Sequence, residues 1–215
     1  MFRSLIHKFI FLDFFKQQEK NEMLKVFKNL NCIFFHIPKT AGMTVSNALF
    51  GDVKWGHRNV SFYKSHYGEN LFNSFYKFCF VRNPYDRIFS AFTFLKNGGI
   101  NNQDLKFSKS HLHKYNSFND FVLRGLEKEE IMNWIHFRPQ YTFVCDKNDN
   151  LVMDFVGKME NLSADFNVVC KHLNIDSELK KINVSSIKKN YFSEEVKSII
   201  KLKYQKDFSL FYPHL

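Results

Sequence analysis

The stretch Cys32-Ile33-Phe34-Phe35-His36-Ile37-Pro38-Lys39-Thr40-Ala41-Gly42-Met43-Thr44 decides the fold. Its four leading apolar residues read as a strand buried on both faces, because a half-exposed strand would alternate apolar with polar. Pro38 and Gly42 break the strand, and Val45, Ala48 and Leu49 then share a helical face that Gly51 ends. The same order returns at Phe78 to Val81. There Asn83 and Pro84 supply a helix N-cap and first helical position, and Tyr85, Ile88, Phe92 and Leu95 follow on one face before Gly98 and Gly99. Two strand-loop-helix units imply an α/β fold: a P-loop-like layered domain whose central, mainly parallel sheet is flanked by helices.

Further along, Tyr141 to Cys145 and Leu151 to Val156 flank the turn-rich Asp146-Lys147-Asn148-Asp149-Asn150 and read as a hairpin or two neighbouring strands. Leu162, Phe166, Val169 and Leu173 have helical spacing. Ser193 with Glu194 and Glu195 starts a last helix that buries Val196, Ile199, Ile200 and Tyr204. The polar run from Lys16 to Glu22 divides the chain into an N-terminal amphipathic segment, residues 1–30, and a folded domain, residues 31–215. Leu5 to Phe15 is too short to span a bilayer, which takes about 20 apolar residues. It suits packing on the domain or peripheral membrane contact through residues 1–15.

A chain of 215 residues is enough for one domain with a full core, and 27 Phe with only eight Gly and four Pro exclude a disordered or collagen-like protein. The formal charge of +10 calls for an acidic partner. Cys32, Cys79, Cys145 and Cys170 have neither CxxC nor zinc-finger spacing, so reduced, buried thiols and a cytoplasmic location are expected.

In parallel sheets, ligands bind beyond the carboxyl ends of strands, which directs attention to the loops after Phe35 and Val81. The first offers Lys39, two hydroxyls and Gly42 where a helix opens, so backbone N–H groups and the helix dipole can hold an anion. It is not a Walker A loop, because no Gly precedes Lys39 in it and Gly42 follows instead. The second places Arg82 directly after a buried strand with Ser90 eight residues on, a phosphate clamp by charge and geometry. Arg87, one helical turn in, is read as the partner of Asp86 or another surface carboxylate.

Phe35-His36-Ile37-Pro38-Lys39-Thr40-Ala41-Gly42 and Phe78-Cys79-Phe80-Val81-Arg82-Asn83-Pro84-Tyr85-Asp86-Arg87 resemble the two donor loops of the carbohydrate sulfotransferases that use 3′-phosphoadenosine 5′-phosphosulfate (PAPS), relatives of the heparan and chondroitin O-sulfotransferases. The likeness extends through Gly157-Lys158-Met159-Glu160-Asn161-Leu162 and Asn183-Val184-Ser185 to the segment from Tyr204 to Tyr212. The resemblance implies Lys39, Thr40, Ala41, Gly42 and Thr44 around the 5′-phosphosulfate, Arg82 and Ser90 on the 3′-phosphate, and Ser185, Lys188 and Lys189 over the nucleotide. Met43 stands where many relatives have Thr or Ser, and Lys158 where Arg is usual.

An acceptor hydroxyl must lose its proton, and His titrates nearest neutrality. His57, between the donor loops where relatives carry a base, is the expected one, with His66 the competitor. His36 lies in the donor loop itself, and His136 with Gln140 resembles a segment that lines the acceptor side. Lys39 is expected to neutralise charge on the departing nucleotide. No metal is expected, since no Asp, Glu, His or Cys cluster has ligand spacing. The expected acceptor is a glycan or glycolipid, bacterial capsule or lipopolysaccharide sugars among them. A small-molecule kinase of P-loop type and a basic nucleic-acid-binding module are the competing classes, and nucleic acid is not expected as a partner because no RNP, zinc-finger or helix-turn-helix signature is present.

Overall fold

The computed structural model describes residues 22–51, 53, 56–179 and 192–215. Three parallel strands, β1 (Cys32–Phe35), β2 (Tyr76–Val81) and β3 (Phe155–Lys158), form a sheet in that order. Phe34 is opposite Phe78 and Phe80 opposite Gly157. All of β1 is buried, and so is β2 beyond Tyr76, which explains the unbroken apolar runs. Phe34 and Phe78 stack at 5.2 Å. Gly157 accommodates the Phe80 ring: a Cβ there would lie 2.6 Å from Phe80 Cε1.

Helices fill the connections. A helical stretch over residues 22–29, α1, buries Met23, Leu24 and Phe27 in the core. From β1 to β2 run α2 (Gly42–Phe50), α3 (Val60–Tyr67) and α4 (Glu69–Ser74). From β2 to β3 run α5 (Pro84–Lys96), α6 (Asn102–Phe107), a π turn over Ser108–Leu112, α7 (Phe118–Arg124), α8 (Glu129–Met132) and α9 (Tyr141–Val144). After β3 come α10 (Leu162–Leu173), α11 (Glu194–Lys203) and α12 (Gln205–Phe211). The α/β layered reading therefore holds, as do the expected caps. Asn83 Oδ1 accepts from Tyr85 N at 3.0 Å with Pro84 in the first turn, and Ser193 Oγ accepts from Val196 N at 3.3 Å.

The expected strand at Tyr141 to Cys145 is corrected. Tyr141–Val144 is helical because both carboxylate oxygens of Asp207, in α12, accept from the N–H groups of Gln140 (2.8 Å) and Tyr141 (2.9 Å) and cap the turn from outside. Only an isolated antiparallel bridge, Cys145 to Leu151, survives of the hairpin. All four cysteines are buried and free. Residues 1–21, on which the expectation of membrane contact rests, and Ser185, Lys188 and Lys189 lie outside the described residues. Among the described residues no helix is long and apolar enough to cross a membrane.

Candidate active site

The loop after β1 has an unusual backbone. Lys39 (φ 70°) and Ala41 (φ 65°) are both left-handed, while Thr40 between them is not. For residues with a Cβ this conformation costs about 1–2 kcal/mol each. Alternation of this kind curls successive N–H groups around one point and makes a concave anion cradle. Ala41 is the N-cap of α2, so the N–H groups of Gly42 and Met43 begin the helix without an intrahelical acceptor. The Thr40 side chain is buried and its hydroxyl donates to Ile37 O at 3.0 Å. Thr44 is half-buried in the first turn of α2. Gly42 is required by close approach: a Cβ there would sit 1.9 Å from Cδ2 of His36.

Lys39 is half-buried with Nζ 3.9 Å above the Phe94 ring. Burial, then the Arg82 charge, push its ammonium down to about 8 against the opposing pull of Asp104. Arg82 is buried, and its Nη1 donates to Lys39 O at 3.5 Å, so the loops after β1 and β2 meet. Its own pKa is lowered by burial, with Asp86, Glu160 and Tyr212 opposing. Glu160 anchors this loop: Oε1 accepts from Asn83 N at 2.7 Å and Oε2 from the Tyr212 hydroxyl at 2.8 Å. Ser90 is half-buried on α5, seven residues after the Asn83 cap and so on the same helical face.

Arg87 does not sit on the surface with Asp86. It is fully buried, donates to Arg138 O, and leaves Nε and Nη1 without a partner. Its chief electrostatic partner is Asp207.

The histidines divide by position. His57 Nδ1 lies 2.8 Å from His36 O; a carbonyl only accepts, so Nδ1 carries the proton and Nε2 keeps its lone pair. Burial holds His57 below its ordinary pKa, with Arg87, Lys39 and Arg58 adding to that and the His36 hydrogen bond opposing it. The imidazole is therefore neutral and basic at Nε2 at neutral pH. His36 joins the two parts of the site, its ring on Gly42 and its carbonyl on His57. His136 stands 6.0 Å from His57 between ring centroids, with Nε2 3.3 Å from Asp104 Oδ1. Burial takes both His36 and His136 down to about 3. His66 is exposed on α3, stacked on Phe62 and edge-on to Tyr67.

Sequence reading missed Asp104. It lies in the motif-free region 97–130 and is buried, accepting from Ile100 N at 3.2 Å and Asn101 Nδ2 at 3.1 Å. Beside His57 opens a cavity of about 670 Å³ lined by Arg58, Phe62, Ile135, Arg138 and Tyr141 among others. Among the described residues no group of three or more His, Cys, Asp or Glu is arranged to hold a metal.

Two loops carrying Lys39 and Arg82 meet at the ends of adjacent parallel strands, beside a neutral imidazole that lines a cleft. The chain belongs to the sulfotransferase family, whose profile matches residues 22–213. The reaction class is sulfuryl transfer from a donor to an acceptor. An uncharacterised protein of Archaeoglobus fulgidus is 32% identical over 116 residues, which cover 52% of this chain and 78% of the relative. No solved structure matches.

Proposed function

We propose that the enzyme transfers the sulfuryl group of PAPS to a hydroxyl of a carbohydrate acceptor. The observation that supports this reading is the meeting of the Lys39–Ala41 loop, left-handed at both ends, with Arg82, which brings two cationic side chains together at the ends of adjacent strands. The donor set suits the group. Backbone N–H groups of residues 40–43 with Thr44 surround the 5′-phosphosulfate, and Arg82 with Ser90 takes the 3′-phosphate. His57 Nε2 accepts the proton of the acceptor hydroxyl as its oxygen attacks sulfur. The bond from sulfur to the bridging oxygen breaks, and Lys39 stabilises the charge left on that oxygen. The products are a sulfate ester and 3′-phosphoadenosine 5′-phosphate. Ser185 would cover the nucleotide.

Lys39 and Arg82 already supply cations at both phosphates, so the reaction needs no divalent metal. The test is calorimetry with 3′-phosphoadenosine 5′-phosphate against ATP, followed by transfer of labelled sulfate to a glycan panel in EDTA. Tight binding of the bisphosphate and chelator-resistant transfer are expected. Preference for ATP, or activity lost in EDTA and restored by magnesium, refutes the reading in favour of a kinase.

A further inference from the structure

Arg82 is the first residue beyond the β ladder, whose last pair joins Val81 to Lys158. A side chain takes over where the strands stop. Gln140 Oε1 accepts from Arg82 N at 2.9 Å, and Gln140 Nε2 donates to Arg82 O at 2.9 Å. The amide thus pairs with both backbone groups of Arg82, as a neighbouring strand would. Gln140 is itself held from behind, through the bond from its own N–H to Asp207, which also takes Tyr141 N–H. Gln140, Asp207 and Arg87 are all fully buried. Burial pushes the Asp207 carboxyl up, and the Arg87 charge with the two N–H donors pulls it down.

We propose that Gln140 is a positioning residue for Arg82, locked by Asp207 of α12, and that selectivity for a 3′-phosphate is set in part by these side chains, which never touch the nucleotide. The proposal rests on the reading of Arg82 as the 3′-phosphate clamp. Among the described residues the Arg82 guanidinium has one weak hydrogen bond, at 3.5 Å to Lys39 O, so its aim depends on how its backbone is fixed. Hydrogen bonds of an arginine to phosphate are sensitive to geometry, and a shift of about 1 Å at the backbone forfeits much of them. A solvent-free amide gripping both sides of one residue prevents that shift. The resemblance implies an acceptor-side role for the segment of His136 and Gln140; under this proposal Gln140 serves the donor side through Arg82.

The test compares calorimetric affinities for 3′-phosphoadenosine 5′-phosphate and adenosine 5′-monophosphate in wild type, Gln140→Met, Gln140→Glu and Arg82→Ala. Wild type is expected to prefer the bisphosphate. Gln140→Met should cut that preference about tenfold or more, with affinity for the monophosphate within about twofold of wild type. Gln140→Glu, which keeps an acceptor for Arg82 N–H, should fall between, and it is read by the same criterion if circular dichroism shows Gln140→Met unfolded. A preference lost in Arg82→Ala yet intact in the Gln140 variants overturns this proposal alone, as does equal weakening of both nucleotides. A wild type without the preference overturns the Arg82 reading and the proposal with it.

Discussion

Replacing Lys39 with Met should make the enzyme slower and more stable at once. The ammonium is placed in a half-buried loop, near Arg82 and above Phe94, and burial with the neighbouring guanidinium lowers its pKa to about 8. A lysine depressed in the folded state binds fewer protons there than in the unfolded chain between about pH 8 and its ordinary value of 10.5. Folding stability from this group therefore rises with pH across that window and is lowest below it. At pH 7 Lys39→Met removes the cost of a poorly solvated charge, about 1 kcal/mol once solvent screening of a half-exposed group is allowed for. The thioether keeps contact with Phe94, roughly replacing the cation–π attraction. Both residues meet the same left-handed φ, so the backbone term cancels. On the proposed mechanism the reaction loses the cation opposite the departing oxygen, and kcat should fall about 10²–10³-fold. The assays are turnover at saturating PAPS and urea unfolding at pH 7 and pH 10. The variant should gain stability at pH 7, and the gain should shrink at pH 10. A variant less stable than wild type at pH 7 refutes the reasoning, because Lys39 would then be a structural cation.

The pH profile of kcat/KM should be bell-shaped. On the proposed mechanism His57 must be neutral, so its depressed pKa puts the acid limb below pH 6.5, and loss of the Lys39 proton puts the alkaline limb near pH 8. His57→Ala should remove the acid limb and cut turnover about 10²–10⁴-fold; an acid limb that persists in it assigns the base elsewhere. Gly42→Ala drives a methyl into the His36 ring and should destabilise by about 1–3 kcal/mol in denaturant unfolding, with loss of turnover because His36 also holds His57. Tyr212→Phe removes one of the two donors on Glu160 and should cost about 1 kcal/mol by the same measurement, without changing the half-site at Lys39.

What could be read from sequence was what is local along the chain. The β1 and β2 runs, the Asn83-Pro84 start and the Gly51 stop each depend on neighbours within a few residues, and all were legible. Family likeness directs attention to His57, but its tautomer depends on a carbonyl 21 residues away. The local bonds of Asp104, from Ile100 and Asn101, are those of an ordinary helix start, and its contact with His136 comes from another part of the chain. Glu160 was legible as a motif but not as the residue that ties Asn83 to Tyr212, 77 and 52 residues distant. The helical turn at Tyr141 was misread for the same reason. Its cap is Asp207, and the apolar run alone has a strand's composition. Arg87 was expected on the surface because charge argues for exposure; the buried carboxylate that compensates it lies on α12.

The ties made by α11 and α12 also set an order of events during synthesis. Tyr204 donates to Phe137 O at 2.6 Å, Asp207 holds Gln140 and Tyr141, and Tyr212 holds Glu160, so the last described helices close loops of 52 to 67 residues onto the donor end of the sheet. A ribosome delivers these residues after every strand has emerged. The three-stranded sheet can pair while the chain is still growing, whereas the Arg82 end waits for residues 204–212 to come free. A nascent chain arrested before Asp207 would hold a paired sheet whose Arg82 loop lacks its anchors, and on the proposed function donor affinity would arrive late, in one step, when the segment docks.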